Sequence, residues 1–269
     1  MSLLVLNTRI KMTEFSPEHN RIENIVRIPV QTASNKAVAS TILEGNLTIP
    51  DNLGFLRGII VFALGSSDCR LSHESKFIAQ ALNKEGLATL LVDLLSKEEE
   101  ETDIRTTKIR CKLPGLIPNK FNIKLLSDRL IRITDWLLTT PYVESDGFVI
   151  GFFGSNTGAA AALAAASERP ALTSAVVSWN GTLDLISGVV LMNIRVPTLL
   201  VVGGNDDNNL IGINNNTIKQ LCNVEEKKLV VVPGTSSLFE KPSALENLTK
   251  LAISWFRCYF LVKQHDNQK

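Results

Sequence analysis

The sequence predicts an α/β fold with a mostly parallel central sheet of about eight strands and helices on both faces. Three observations predict it. Short continuous apolar runs recur along the chain, as strands buried on both faces require. Stretches with helical apolar spacing stand between them, so strand and helix alternate. The 269 residues, 45% hydrophobic and 20% charged, hold enough apolar material for one sizeable core.

The elements follow in order. Residues 25–29 and 38–49 alternate polar and apolar, the pattern of an antiparallel hairpin at a sheet edge. Residues 58–63 form the first fully apolar run, and a helix follows over 72–85, with Phe77, Ile78, Ala81 and Leu82 on one face and Gly86 ending it. Residues 87–92 give the next buried strand, closing at Asp93. Residues 96–120 break the rhythm with the acidic run Glu98–Glu101, scattered basic residues and two prolines; they read as a solvated connection, or as a lid or partner surface beside a pocket. The alternation resumes with a helix over 122–138, a strand over 147–152, a helix over 157–167 and strands over 172–178 and 198–202. It closes with a helix over 215–222, a strand over 228–232 and a helix over 243–260. Such alternation implies right-handed crossovers between parallel strands. The expected organisation is an N-terminal surface segment (1–22), one domain (23–262) and a polar tail (263–269).

Composition excludes several functions. With 28 Lys+Arg against 27 Asp+Glu the chain is neither a globally basic nucleic-acid binder nor an acidic tail. Cys69, Cys111, Cys222 and Cys258 have no metal or redox spacing, which fits a reduced compartment. The opening Met1–Lys11 lacks the layout of an export signal, and the alanine-rich run at 159–166 is too short to span a bilayer. A cytoplasmic protein without membrane contact is expected.

The chemistry-bearing stretch is 149–162. A buried strand runs into Gly154-Ser155-Asn156-Thr157-Gly158, and an alanine-rich helix leaves it. This has the shape of a nucleophile elbow, G-x-S-x-G, in which glycines let strand and helix approach while the central residue is exposed in a strained turn. The central residue here is Asn156. Asparagine tolerates positive φ, but its carboxamide has no ionisable hydroxyl or thiol with which to form an acyl-enzyme. Ser155 stands one position early, where its side chain turns away from the site.

Taken with further segments, this stretch resembles the α/β-hydrolases, in particular the dienelactone-hydrolase-like branch, over nearly the whole chain. The segments are Val61–Ser67, similar to the family's strand ending in His-Gly-Ser, Gly86–Leu95 with Asp103–Thr106, Asp135–Leu137, Gly151–Leu163, Pro197–Asp206 and Val232–Glu240. The resemblance implies the α/β-hydrolase fold. By position it places the nucleophile on Asn156, the acid on Asp206 and the histidine on Ser237, with Leu64 where the turn's histidine stands. It further implies an oxyanion hole from backbone N–H groups of Thr157 and the Gly65-Ser66 turn.

Histidine is scarce independently of any resemblance. His19, His73 and His265 are the only ones, and none lies in the segment that presents the base. Removing triad members from a serine hydrolase lowers turnover about 10⁴- to 10⁶-fold, while binding and the oxyanion hole persist. The expectation is therefore a non-catalytic hydrolase-fold protein whose crevice takes a small carbonyl or anionic ligand, or which binds a protein partner. The alternative is a hydrolase of small esters or lactones with a non-standard nucleophile: Ser155, Ser66, Ser67 or Cys69. Trp179, just past a strand end, is a candidate pocket wall or a packing residue. No G-x-G-x-x-G and no P-loop lysine occurs, and Asp206-Asp207 has no companion ligands, so neither cofactor nor metal is implied.

Overall fold

The computed structural model describes residues 21–31, 40–50, 58–64, 70–109, 118–140, 149–205, 208–236, 239 and 241–266. Its strands are β1 (Arg21–Gln31), β2 (Ser40–Pro50), β3 (Gly58–Leu64), β4 (Ala88–Asp93), β5 (Val149–Ser155), β6 (Thr173–Trp179), β7 (Thr198–Gly203) and β8 (Lys227–Val232). They form one eight-stranded sheet in the order β1-β2-β4-β3-β5-β6-β7-β8. From β4 to β8 every pairing is parallel, while β1 and β2 pair antiparallel and β2 joins β4 antiparallel. The predicted architecture and its edge hairpin are thus observed.

The helices are α1 (His73–Lys84), α2 (Lys97–Ile109), α3 (Ile123–Leu138), α4 (Asn156–Glu168), α5 (Gly188–Asn193), α6 (Asn208–Gln220) and α7 (Pro242–Asp266), with short 3₁₀ turns at Asn119–Phe121 and Leu183–Leu185. They cover the sheet in two layers. One core joins Val61, Phe152, Val176 and Leu200 to α3 and the alanine face of α4, and the other joins Phe62, Phe153 and Val177 to α1 and α7. In the second layer Phe256 and Phe260 of α7 pack onto strand glycines. A Cβ on Gly151 would lie 2.6 Å from the Phe256 ring, and one on Gly58 2.6 Å from Phe260.

Three differences from the sequence reading have physical causes. Residues 97–109 form α2 and not merely a solvated connection. Its start is a reciprocal capping box: Glu99 N–H donates to Ser96 Oγ and Ser96 N–H to Glu99 Oε2. Its acidic run is also divided between faces. Glu101 is exposed, whereas Asp103 is buried and accepts the N–H groups of Asn119 and Lys120, both at 2.7 Å. Secondly, α6 begins at Asn208, seven residues before the expected start at 215, across an asparagine-rich stretch of weak helix propensity held by tertiary contacts such as Asn214 Nδ2 to the Gly181 carbonyl. Thirdly, α5 has only six residues, too few for a periodic signal.

Candidate functional site

In open α/β sheets the crevice forms beyond the carboxyl ends of the parallel strands, and the elbow lies there. All seven residues of β5 are buried, and α4 follows without a break. Gly154 permits that junction, since a Cβ there would lie 2.5 Å from Ala159 Cα. Asn156 is the first residue of α4, half-buried, with φ 49°. Its left-handed backbone turns the chain from strand to helix and leaves the tip of the elbow to its side chain. Ser155, the residue before, is 1% exposed and does not cap the helix through its side chain. The α4 N-terminus thus carries its positive dipole end to the crevice beside Asn156 and the buried Thr157.

A chain of hydrogen bonds joins the strand ends. Thr182 N–H donates to the Asn156 carbonyl at 3.2 Å, fixing the elbow to the turn after β6. In that turn Asn180, 2% exposed with φ 48°, donates its N–H to the Val201 carbonyl, and its Oδ1 accepts the Gly203 N–H at 3.1 Å. Gly204 N–H then donates to the Val232 carbonyl at 2.7 Å and Asn205 N–H to the Thr235 carbonyl at 2.9 Å. Asn180 is not among the site residues expected from the sequence. The available signal was its Asn-Gly dipeptide at a strand end, which favours positive φ.

Among the sequence-predicted site residues, Asn156, Thr157, Leu64 and Trp179 are described; Gly65, Ser66, Ser67, Cys69, Asp206 and Ser237 lie outside the described residues. The Asn205–Thr235 bond nevertheless ties together the turns that lead into positions 206 and 237. Leu64 ends β3 and is buried. Trp179 ends β6 in register with Ser155 and is held between Phe153 and Phe239, with ring centroids 6.4 Å and 5.6 Å away. Its buried indole N–H has no hydrogen-bond partner among the described residues. His73 begins α1 on the exposed surface, near Phe77; His19 and the side chain of His265 are outside the described residues.

The β3–β4 flank of the crevice is charged. Arg70, 8% exposed, lies with Nε 3.0 Å from Asp93 Oδ2 at the end of β4, reaches Glu44 at 2.8 Å and donates to Asn46 Oδ1. Burial holds the Asp93 carboxyl above its ordinary pKa, and the contacts with Arg70 only partly offset it. Beside it a cavity of about 10 Å³, room for one water, is lined by Leu64, Asp93, Leu94, Glu100, Lys120 and Leu126. Glu100 is likewise raised, by burial and by the charges of Asp93 and Asp103. No group of three metal-ligating side chains occurs among the described residues.

The fold and the elbow together define an α/β-hydrolase. No protein-family model matches the chain. A dienelactone hydrolase from Anabaena variabilis is 39% identical in sequence and superposes with a TM-score of 0.70, over 87% of this chain and 98% of that one. The chain therefore belongs to the dienelactone-hydrolase branch of the α/β-hydrolases. Est1E from Butyrivibrio proteoclasticus shares the fold at 14% identity and a TM-score of 0.66, over 88% of this chain and 99% of that one. A Mycobacterium tuberculosis protein with the provisional name phosphoribosyl transferase is 39% identical over 229 residues, 85% of this chain but 46% of that protein. The chain thus spans somewhat under half the length of the curated relatives it matches. No described helix is long and apolar enough to cross a membrane.

Proposed function

We propose that this chain is a non-catalytic member of its family, whose crevice holds a small carbonyl-bearing or anionic ligand without forming a covalent bond to it. The observation that carries this reading is Asn156 at the elbow tip, with its φ of 49°. The position keeps the backbone demand of a nucleophile elbow and loses its chemistry, because an amide cannot be activated as an attacking oxygen. The assignments of Asp206 as a retained acid and Ser237 as the replaced base belong to the same proposal. Without an imidazole there is no route for the proton that a serine or water would have to lose.

Binding has its own support. The dipole end of α4 at Asn156 and Thr157 favours negative charge, and the buried indole N–H of Trp179, without a partner among the described residues, is a donor one strand away. The backbone N–H groups of Thr157 and of the Gly65-Ser66 turn are the proposed oxyanion-hole donors, and Leu64 and Trp179 the proposed walls. The transferase name of the mycobacterial protein is not carried over. It belongs to a protein more than twice the matched length, and the glycine turns of this chain form no phosphate loop.

A fluorophosphonate probe tests the reading, followed by intact mass and by hydrolysis of 4-nitrophenyl acetate. No adduct and no turnover above buffer are expected, together with saturable quenching of tryptophan fluorescence by a small aromatic carboxylate that Trp179→Phe abolishes. A stoichiometric adduct at any serine or cysteine would show instead a hydrolase with a displaced nucleophile.

A further inference from the structure

A further pocket opens between α1 and the strands β2 and β4, with a volume of about 60 Å³. That is room for about four to six waters. Asn46 pairs directly with Leu91 and Thr48 with Thr89, which puts these four side chains on one face of the sheet. Leu91 belongs to the core beneath α1, so this is the α1 face. The pocket shares no lining residue with the elbow or with the cavity beside Asp93.

Its two ends differ in chemistry. At one end stands Arg70, whose side chain is 9% exposed. Its Nε faces Asp93, one terminal nitrogen donates to Asn46 Oδ1 and the other to Glu44. A guanidinium carries five N–H groups, so two remain after these contacts. Asn46, with its Oδ1 engaged, keeps its amide protons to donate. Lys76 adds an exposed ammonium, and no acid stands three or four residues away on α1 to pair with it. Arg27, 3.8 Å from Glu44, completes the group, so three cations face two carboxylates and one positive charge is in excess. At the other end Asn83, 6% exposed, spends both amide protons, on the Leu87 carbonyl at 2.9 Å and on Thr89 Oγ1 at 3.1 Å. Only its Oδ1, an acceptor, is left for a ligand, and the Thr48 hydroxyl lines the same end. Ala79 and Leu91 form the apolar wall between.

We propose that this pocket binds a short carboxylate that carries a hydroxyl, such as 3-hydroxybutyrate. The carboxylate meets the excess positive charge at the Arg70 end, where the spare guanidinium N–H groups, the Lys76 ammonium and the Asn46 amide all donate. The hydroxyl donates to Asn83 Oδ1 and accepts from Thr48, and the carbon chain lies on Ala79 and Leu91. Asn46 and Thr48 stand two residues apart on β2, about 7 Å, which suits a chain of about three or four carbons. A compact tetrahedral anion fills only the Arg70 end and leaves Asn83 Oδ1 without a donor. A neutral polyol leaves the excess charge unanswered. The site is separate from the crevice and does not rest on the crevice being non-catalytic.

Isothermal titration calorimetry of the full chain with 3-hydroxybutyrate tests this, against butyrate, which lacks the hydroxyl, and against inorganic phosphate. Saturable binding of 3-hydroxybutyrate is expected, with butyrate about fivefold weaker for the lost hydrogen bonds and phosphate weaker than 3-hydroxybutyrate. Thr48→Val is expected to bring 3-hydroxybutyrate toward the affinity of butyrate. Lys76→Glu, a change at an exposed position, is expected to weaken it about tenfold or more, and decides the matter if the Thr48 variant fails to fold. Trp179→Phe, in the crevice, is expected to leave this binding unchanged. The proposal is overturned by an absence of saturable binding, by butyrate or phosphate binding as tightly, or by binding that Lys76→Glu leaves intact. A loss with Trp179→Phe alone would put the ligand in the crevice and overturn it as well.

Discussion

Gly203 at the end of β7 donates its N–H to Oδ1 of Asn180 at 3.1 Å, and Asn180 itself stands at φ 48° in the turn after β6. One buried side chain thus fixes the spacing of two strand ends that border the crevice. Replacing Asn180 with Ala removes the side-chain acceptor of the Gly203 N–H and puts a residue that tolerates left-handed backbone less well than asparagine at φ 48°. The expected cost is about 2–4 kcal/mol from these two effects together. Asn180→Gly restores the backbone freedom and is expected to lose less, about 1–3 kcal/mol. Urea unfolding of the two variants checks the order.

Gly154→Ala tests the elbow's construction. A Cβ 2.5 Å from Ala159 Cα meets backbone and not the end of a movable side chain. Destabilisation of about 3 kcal/mol or more is expected, because the strand-to-helix junction must separate. Thermal melting of purified protein measures it, and a variant that melts with the wild type would show that α4 has room to shift.

The Arg129–Glu99 pair makes stability depend on pH. Arg129 is 2% exposed, donates to the Leu94 carbonyl at 2.6 Å and grips Glu99 through both guanidinium NH₂ groups. Burial raises the Glu99 pKa, but the bonds from Arg129 and Ser96 outweigh it and hold the carboxyl below its ordinary value. The folded state therefore prefers the charged form. Its contribution is complete above the unfolded carboxyl pKa of about 4.3 and is lost as pH falls through the lower folded value. Glu99→Gln leaves a buried guanidinium without its partner and is expected to cost about 3–5 kcal/mol at neutral pH, with a flatter loss of stability toward acid. Denaturation curves from neutral pH down to pH 3 distinguish the two slopes.

Glu100 has the opposite sign. Its pKa is raised, so its charge opposes folding above that pKa, and protonation relieves the strain between the folded and the unfolded values. Glu100→Gln is expected to raise stability slightly at pH 7 and to leave it unchanged at low pH. The same denaturation series reads this out.

Asn156→Ser together with Ser237→His tests the proposed lineage of the crevice. The single Asn156→Ser change is expected to remain inactive, since nothing takes the serine proton. The double variant is expected to hydrolyse 4-nitrophenyl acetate measurably above the wild type. A double variant as silent as its parent would mean that the turns at 206 and 237 do not reach the elbow.

The sheet was legible because parallel strands buried on both faces leave unbroken apolar runs. β3, β5 and β7 lie within one to three residues of their expected ends. The elbow was legible for a different reason: Gly154 and Asn156 have backbone requirements that few residues meet. What stayed hidden depends on tertiary contact. The acidic run before Asp103 reads as a solvated face until Arg129, thirty residues from Glu99, enters the same core. Asn180 carries a strand-spacing role that only its distance to Gly203 reveals. Of the crevice residues expected from sequence, Asn156, Thr157, Leu64 and Trp179 lie at strand or helix ends, whereas Asp206 and Ser237 fall outside the described residues.

The bonds running from Asn156 through Thr182, Asn180 and Gly203 to Thr235 have a kinetic consequence. A floor stitched together before anything arrives leaves little disorder for a guest to quench. On the proposed ligand-binding reading, capture should follow simple bimolecular kinetics, with no slow rearrangement of these strand ends after the first encounter.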